Sequence, residues 1–196
     1  MNCGNTMKPR CEVKNMSNAV LISIQPKWCE LIANGKKTIE VRKTRPKLET
    51  PFKCYIYCTL QGSPEAFAAW GKDVAKWNRE NWGERKGKVI GEFVCDRIER
   101  MRYPDDGLVD VVDAQMACLT AKEIIAYSNG SPLYAWHISA LQIYDNPKEL
   151  SEFKRCDKCP YGPIERCNEH EFSCDGTYSL SRPPQSWFYA EDIDAK

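Results

Sequence analysis

Apolar and polar positions along this chain follow two periods, and the changes from one to the other mark out its elements. "AVLISIQ", residues 19–25, is an apolar, β-branched run of strand length. "PKWCELIANG" follows directly, opening with Pro26 in its first turn, spacing Trp28, Leu31 and Ile32 on one face and closing on Gly35. The pattern predicts a strand, a short helix and a tight turn. Ile39 and Val41 then alternate with Thr38, Glu40 and Arg42, as in a strand with one buried face and one solvated face.

"FKCYIYCTL" (52–60) predicts another strand, and "SPEAFAAWGKDVAKW" a helix capped by Ser63, with Phe67, Trp70, Val74 and Trp77 in a stripe that reads as core packing. "GKVIGEFVCDRI" (87–98) predicts a strand with Val89, Gly91, Phe93 and Cys95 on one face. "TAKEIIAYSNG" predicts a helix between a Thr120/Glu123 capping box and a stop at Gly130. "LYAWHISALQIY" (133–144) predicts a long strand whose apolar phase changes between Ala140 and Leu141, the mark of a bulge or bend. Residues 104–118 carry no assignable period. Short strands outnumber helices without strict βαβ alternation, so the fold class is α+β, a small curved mixed sheet or open barrel rather than a doubly wound sheet.

At 196 residues and 42% hydrophobic, the chain suits one main core with an appendage. Residues 1–17 are polar and aperiodic and read as a flexible tail, with one domain over 18–196 that contains a cysteine-rich insertion at 154–181. A formal net charge of +1 supplies no global attraction for polyanions, so affinity for nucleic acid must come from a local patch. The sequence has no apolar run long enough to span a membrane and no signal-peptide core, which leads us to expect a soluble, cytoplasmic protein.

Eleven cysteines are many for a reducing compartment. Cys3, Cys11, Cys29, Cys54, Cys58, Cys95 and Cys118 lie in the tail or among apolar neighbours and read as ordinary small residues. The other four crowd into "CDKCPYGPIERCNEHEFSC" as Cys156-x2-Cys159, Cys167-x2-His170 and Cys174. Two ligand pairs of this spacing suit one tetrahedral structural zinc, held by Cys156, Cys159, Cys167 and Cys174 or with His170 as the alternative fourth ligand. A disulfide or free thiols are the competing readings.

The densest basic patch is "GKKTIEVRKTRPK", residues 35–47, where one carboxylate, Glu40, stands among Lys36, Lys37, Arg42, Lys43, Arg45 and Lys47. Cations bind phosphate oxygens, whereas a carboxylate accepts from an exocyclic base amine or moves a proton. An exposed strand with an ion pair of little energetic value is the plain alternative. His137 in "YAWHIS" is either a proton donor, a role open to the histidine side chain, or a satisfied structural residue. Trp28, Trp136 and Trp187 are candidates to stack a base, although each lies in an element that also needs core, and either Trp187 or Phe188 should face away from that core.

"GKKTIEVR" matches the G-x-K-x-x-E-x-R signature of ASCH domains, a branch of the PUA-like superfamily, at Gly35, Lys37, Glu40 and Arg42. "LISIQPKWCELIANG", "GKVIGEFVCDRI", "YAWHISALQIYDNPKELSEF" and "RPPQSWFYAE" also resemble a bacterial and phage subgroup of that family, over residues 18 to about 153 and 182–191. The resemblance implies a PUA-like pseudo-barrel with flanking helices and a cleft beside the signature strand that takes RNA, a nucleotide or a nucleobase-like ligand. The residues expected to bind there are Gln25, Trp28, Lys37, Thr38, Glu40, Arg42, Lys43, Arg45, His137 and Trp187. Some relatives are amidohydrolases acting on N4-acylcytidine through the signature lysine and a threonine three residues on, and others cleave RNA. Lys37 fits an enzymatic role with Glu40 as its partner, but Glu40 replaces the threonine, so a hydroxyl nucleophile is missing from that position. The cysteine cluster lies outside the resemblance.

Overall fold

The computed structural model describes residues 18–60, 83–101, 111–155 and 178–194. In chain order the elements are β1 (Asn18–Ile24), α1 (Pro26–Ala33), β2 (Ile39–Arg42), β3 (Phe52–Cys58), β4 (Val89–Arg100), α2 (Val111–Met116), α3 (Ala121–Ser128), β5 (Tyr134–Lys148), β6 (Lys154–Arg155), β7 (Tyr178–Ser179) and β8 (Trp187–Glu191). Short 3-10 turns precede β4 at Gly83–Arg85 and β6 at Leu150–Glu152. The helix expected over residues 63–77, the N-terminal tail and the cysteine cluster lie outside the described residues.

All eight described strands form one sheet in the order β2-β5-β4-β3-β1-β8-β6-β7. β1 and β3 run parallel, and the other described pairs run antiparallel. Both faces of the central strands are covered. Val20, Ile22 and Ile24 of β1 and Cys54, Ile56 and Cys58 of β3 point into the concave core with Phe93, Trp136 and the inner residues of α1. Their alternates Ala19, Leu21, Tyr55 and Tyr57 pack outward under Leu150, Phe153 and Leu180. This two-sided burial explains why β1 and β3 read as continuous apolar runs. The four cysteines Cys29, Cys54, Cys58 and Cys95 are buried as expected, and burial pushes the Cys29 thiol well above its ordinary range.

Local signals set the element ends. Thr120 and Glu123 make both halves of the capping box on α3, and the helix ends in the left-handed region at Asn129 (φ 46°), one residue before the expected Gly130. The phase change in β5 is a bulge: Val94 pairs with Ser139 and Glu92 with Gln142, so Ala140 and Leu141 oppose Phe93 alone, and Ala140 adopts φ 44°. The expectation for Trp187 and Phe188 needs correction. Phe188 packs into the outer core while Trp187 packs against the concave one, because β8 has a core on each face. The expected half-solvated face of β2 is corrected as well, since all four of its residues are buried.

The sheet does not close into a complete hydrogen-bonded barrel. β2 ends the order at one edge and meets β1, four strands away, through side chains alone. On the outer face Lys53 bonds to Asp194 at 2.6 Å and Asp192 at 3.0 Å, and Tyr55 donates to Asp192 at 2.8 Å, which ties the C-terminal residues to β3.

Two predictions follow from this packing. A Cβ on Gly91 would lie 2.3 Å from the Gln142 carbonyl oxygen and 3.0 Å from Ile143 Cα, so Gly91→Ala should lower stability by about 1–3 kcal/mol or more, read as a fall in the urea midpoint at unchanged m. Burial pulls the Lys53 ammonium down, but its bonds to Asp194 and Asp192 outweigh burial and raise it above the ordinary lysine range. A raised folded-state pKa contributes stability that is fully present below the unfolded value, about 10.4, and is lost as pH climbs beyond it. Burial lowers Lys37 and works in the opposite direction just below that pH. Lys53→Met should therefore make the alkaline loss of stability shallower than in the parent, measured by urea unfolding between about pH 9 and 11.

Candidate functional site

Helix α1 ends at Asn34, and Gly35 takes φ 68°, a conformation glycine adopts without a Cβ penalty. The turn is fixed by Gly35 N–H donating to Ile32 O and by the N–H groups of Lys36 and Lys37 donating to Leu31 O. It delivers Lys37 under the sheet edge, where its Nζ donates to Ala117 O at 2.8 Å and lies 3.4 Å from Glu40 Oε2. Arg42 Nη2 lies 3.0 Å from Glu40 Oε1. It also donates to Ser23 O at 2.5 Å, while Nη1 donates to Ser186 Oγ at 3.4 Å.

The signature side chains thus form a buried chain, Lys37–Glu40–Arg42, with 3%, 6% and 8% exposure. Two cations flank one carboxylate, and deleting one member of such a buried set costs about 3–5 kcal/mol because the remaining charges lose their compensation. Burial holds the Lys37 amine below the ordinary lysine range, and Glu40 opposes that effect. Each Glu40 oxygen has one cationic partner, which leaves further lone-pair capacity on the carboxylate. Two buried donors nearby, Arg42 Nε and Trp136 Nε1, have no hydrogen-bond partner among the described residues. Glu40 pairs with Trp136 across β2 and β5, so both project from the same face.

Aromatic rings and exposed cations surround this chain. Lys27 Nζ lies 4.2 Å and Lys37 Nζ 5.0 Å from the centroid of the half-buried Trp28 ring. Lys43 Nζ is 5.3 Å from the Tyr127 ring, and the Arg45 guanidinium carbon is 5.9 Å from the Tyr134 ring. Trp187 Nε1 donates to Thr44 Oγ1 at 2.9 Å, and its ring lies 5.8 Å from Trp136. Gln25, exposed, starts α1 without a side-chain capping bond. Sequence reasoning passed over Ala117, Tyr127 and Ser186. Only Tyr127 left a signal, as an aromatic off the Ile124 face of a predicted helix; it is 42% exposed.

Two of the expected residues belong elsewhere. His137 pairs with Ile39, whose side chain packs in the cluster beneath α2 and α3, so it projects from the sheet face opposite Glu40. Its Nε2 lies 3.1 Å from Glu99 Oε2, and Arg97 Nη2 lies 3.2 Å from its Nδ1. His137 and Thr38 line a separate open pocket of about 350 Å³ with Asp96, Arg97, Met116 and Ile138. His137 is therefore set apart from the face that carries Glu40. The zinc candidates Cys156, Cys159, Cys167, Cys174 and His170 lie outside the described residues, and among the described residues no group of three His, Cys, Asp or Glu is placed to hold a metal.

The sequence profile of the ASCH domain matches residues 22–144. The ASCH protein of Zymomonas mobilis has a similar fold, with a TM-score of 0.51 at 20% identity over 87% of this chain and 86% of that one. A tyrosine-to-phenylalanine variant and a serine-to-alanine variant of the same protein each give 0.49 at 20% identity, over 87% of this chain and 88% and 87% of theirs. No curated protein matches the sequence. With the signature assembled at one sheet edge and the profile spanning more than half its length, the chain belongs to the ASCH domain family.

Proposed function

We propose that the protein binds RNA, or a nucleotide of RNA, at the cleft beside β2. The observation that carries this reading is the gathering of cations onto aromatic rings around one strand, Lys27 and Lys37 at Trp28, Lys43 at Tyr127 and Arg45 at Tyr134, in a chain whose net charge is only +1. Single-stranded nucleic acid is held by this pairing of backbone neutralisation with base stacking, worth about 1–3 kcal/mol per stacked base. Lys43, Arg45 and Lys47 are exposed and would meet phosphates. Lys37 and Arg42 fix Glu40, whose remaining lone pairs would accept from a base amine.

A second reading, hydrolysis of an acylated nucleoside or of RNA, draws on the Lys37 amine, which burial holds below the ordinary lysine range beside Glu40. Because both Glu40 oxygens are already engaged by cations, binding is the better supported of the two. Turnover of N4-acetylcytidine or a single-stranded RNA by the pure protein, abolished in Lys37→Met at unchanged fold, would establish the enzyme.

For the cysteine cluster we propose one structural zinc. β6 and β7 pair at Lys154–Ser179 and Arg155–Tyr178, so the two ends of the intervening segment are held at one place on the sheet, an arrangement that suits closure around a single ion.

Lys43→Ala with Arg45→Ala should weaken binding of a fluorescent single-stranded RNA about tenfold. The two lost phosphate contacts should also flatten the slope of log affinity against log salt by roughly 1 to 1.5. An unchanged slope would remove these residues from the interface. Elemental analysis of protein purified without added metal should find about one zinc per chain, lost in Cys156→Ser with Cys159→Ser.

A further inference from the structure

The pocket beside His137 is not used by the reading above, and its construction begins in the strand register. β4 and β5 pair at Cys95–Ile138 and next at Ile98–Trp136, so Asp96 and Arg97 together oppose His137 alone. That bulge turns both charged residues toward the pocket, which Thr38, Met116 and Ile138 complete. At about 350 Å³ it falls within the roughly 300–1,000 Å³ range of small-molecule sites.

The orientation of Arg97 is set by its neighbours. Glu99 Oε2 lies 3.1 Å from His137 Nε2 and 3.4 Å from Arg97 Nε. With the His137 proton on Nε2 facing Glu99, Nδ1 is free to accept from Arg97 Nη2 at 3.2 Å. The imidazole and carboxylate thus brace two nitrogens of the guanidinium. Among the described residues, Arg97 Nη1, the Asp96 carboxylate and the Thr38 hydroxyl have neither a hydrogen bond nor an ion pair. A donor, an acceptor and a hydroxyl that is both are therefore left around one cavity.

The charge balance narrows the ligand. Asp96 and Glu99 oppose a phosphate, and the guanidinium, with no three-ligand group among the described residues, opposes a metal ion. A neutral planar group presenting donor and acceptor atoms side by side fits a carboxylate next to a guanidinium. We propose that this pocket binds the lactam edge of a 6-oxopurine, with Asp96 accepting from the ring N–H, Arg97 donating to the ring oxygen, and Met116 beside the ring. Arginine donates to this same ring oxygen of guanine in duplex nucleic acid.

The inference is independent of the cleft beside β2, and one titration series tests it. NMR-monitored titration with guanosine, inosine, adenosine and cytidine should show the two oxopurines binding at least fivefold tighter than the others, with shifts at Thr38, Asp96, Arg97 and Ile138. Asp96→Asn and Arg97→Met, both at exposed positions, should each weaken guanosine at least fivefold with an unchanged melting temperature. Lys43→Ala with Arg45→Ala should leave guanosine binding unchanged whether or not that pair contacts RNA. If only guanosine within an oligonucleotide binds, with the same shifts, the pocket serves a polymer. Equal binding of adenosine, or guanosine binding retained in Asp96→Asn, would overturn the proposal.

Discussion

The contact on which the architecture depends is the reach of Arg42 from β2 to the Ser23 carbonyl on β1, two strands that the ladder places at a distance from each other. The sheet curls enough to bring them together but supplies no backbone bonds across the seam. Arg42 bridges it, with Ser186 on the β8 side, and Ser23 in turn donates through Oγ to Pro184 O at 2.7 Å and through its N–H to Ser186 O at 2.9 Å. A guanidinium can span such a gap because its planar fork presents several donors in fixed directions, which a lysine cannot do. Glu40 supplies the counter-charge that makes burying Arg42 tolerable, and Lys37 completes the set while satisfying a carbonyl at the end of α2. The family signature is thus a structural closure as well as a candidate recognition element.

The same strand divides the molecule's chemistry. Residues paired across antiparallel strands share a face, so the register Glu40–Trp136 and Ile39–His137 sends one set of polar groups into the concave side and another toward the helices. Each set is backed by its own apolar cluster. A ligand on one side would meet cations and aromatic rings, and on the other a braced guanidinium beside a carboxylate.

Much of the fold was legible in the sequence because its signals are local. The capping box at Thr120 and Glu123, the glycine turn at Gly35 and the phase change after Ala140 involve near neighbours, and each appears where the pattern placed it. The signature also marked out Lys37, Glu40 and Arg42. Their burial was hidden, since it depends on α2 and α3 covering the outer face of β2 and on Trp136 filling the inner one. The Lys37–Ala117 bond spans 80 residues and the Arg42–Ser186 bond 144, and alternation within a strand carries no information about such partners. His137 looked like a neighbour of the signature because β5 pairs with β2, but only the register says which face it takes.

The pairing of β6 with β7 holds Arg155 and Tyr178 side by side on adjacent strands. Chain leaves at Arg155 and returns at Tyr178 on adjacent strands, while β6 is itself held to β8 at Ala190. Closure entropy grows only slowly with loop length, so what lies between those two residues can lengthen, shorten or be exchanged without altering the register of the strands that carry the signature. Changes of length between Arg155 and Tyr178 are thereby uncoupled from the strands that carry Lys37, Glu40 and Arg42.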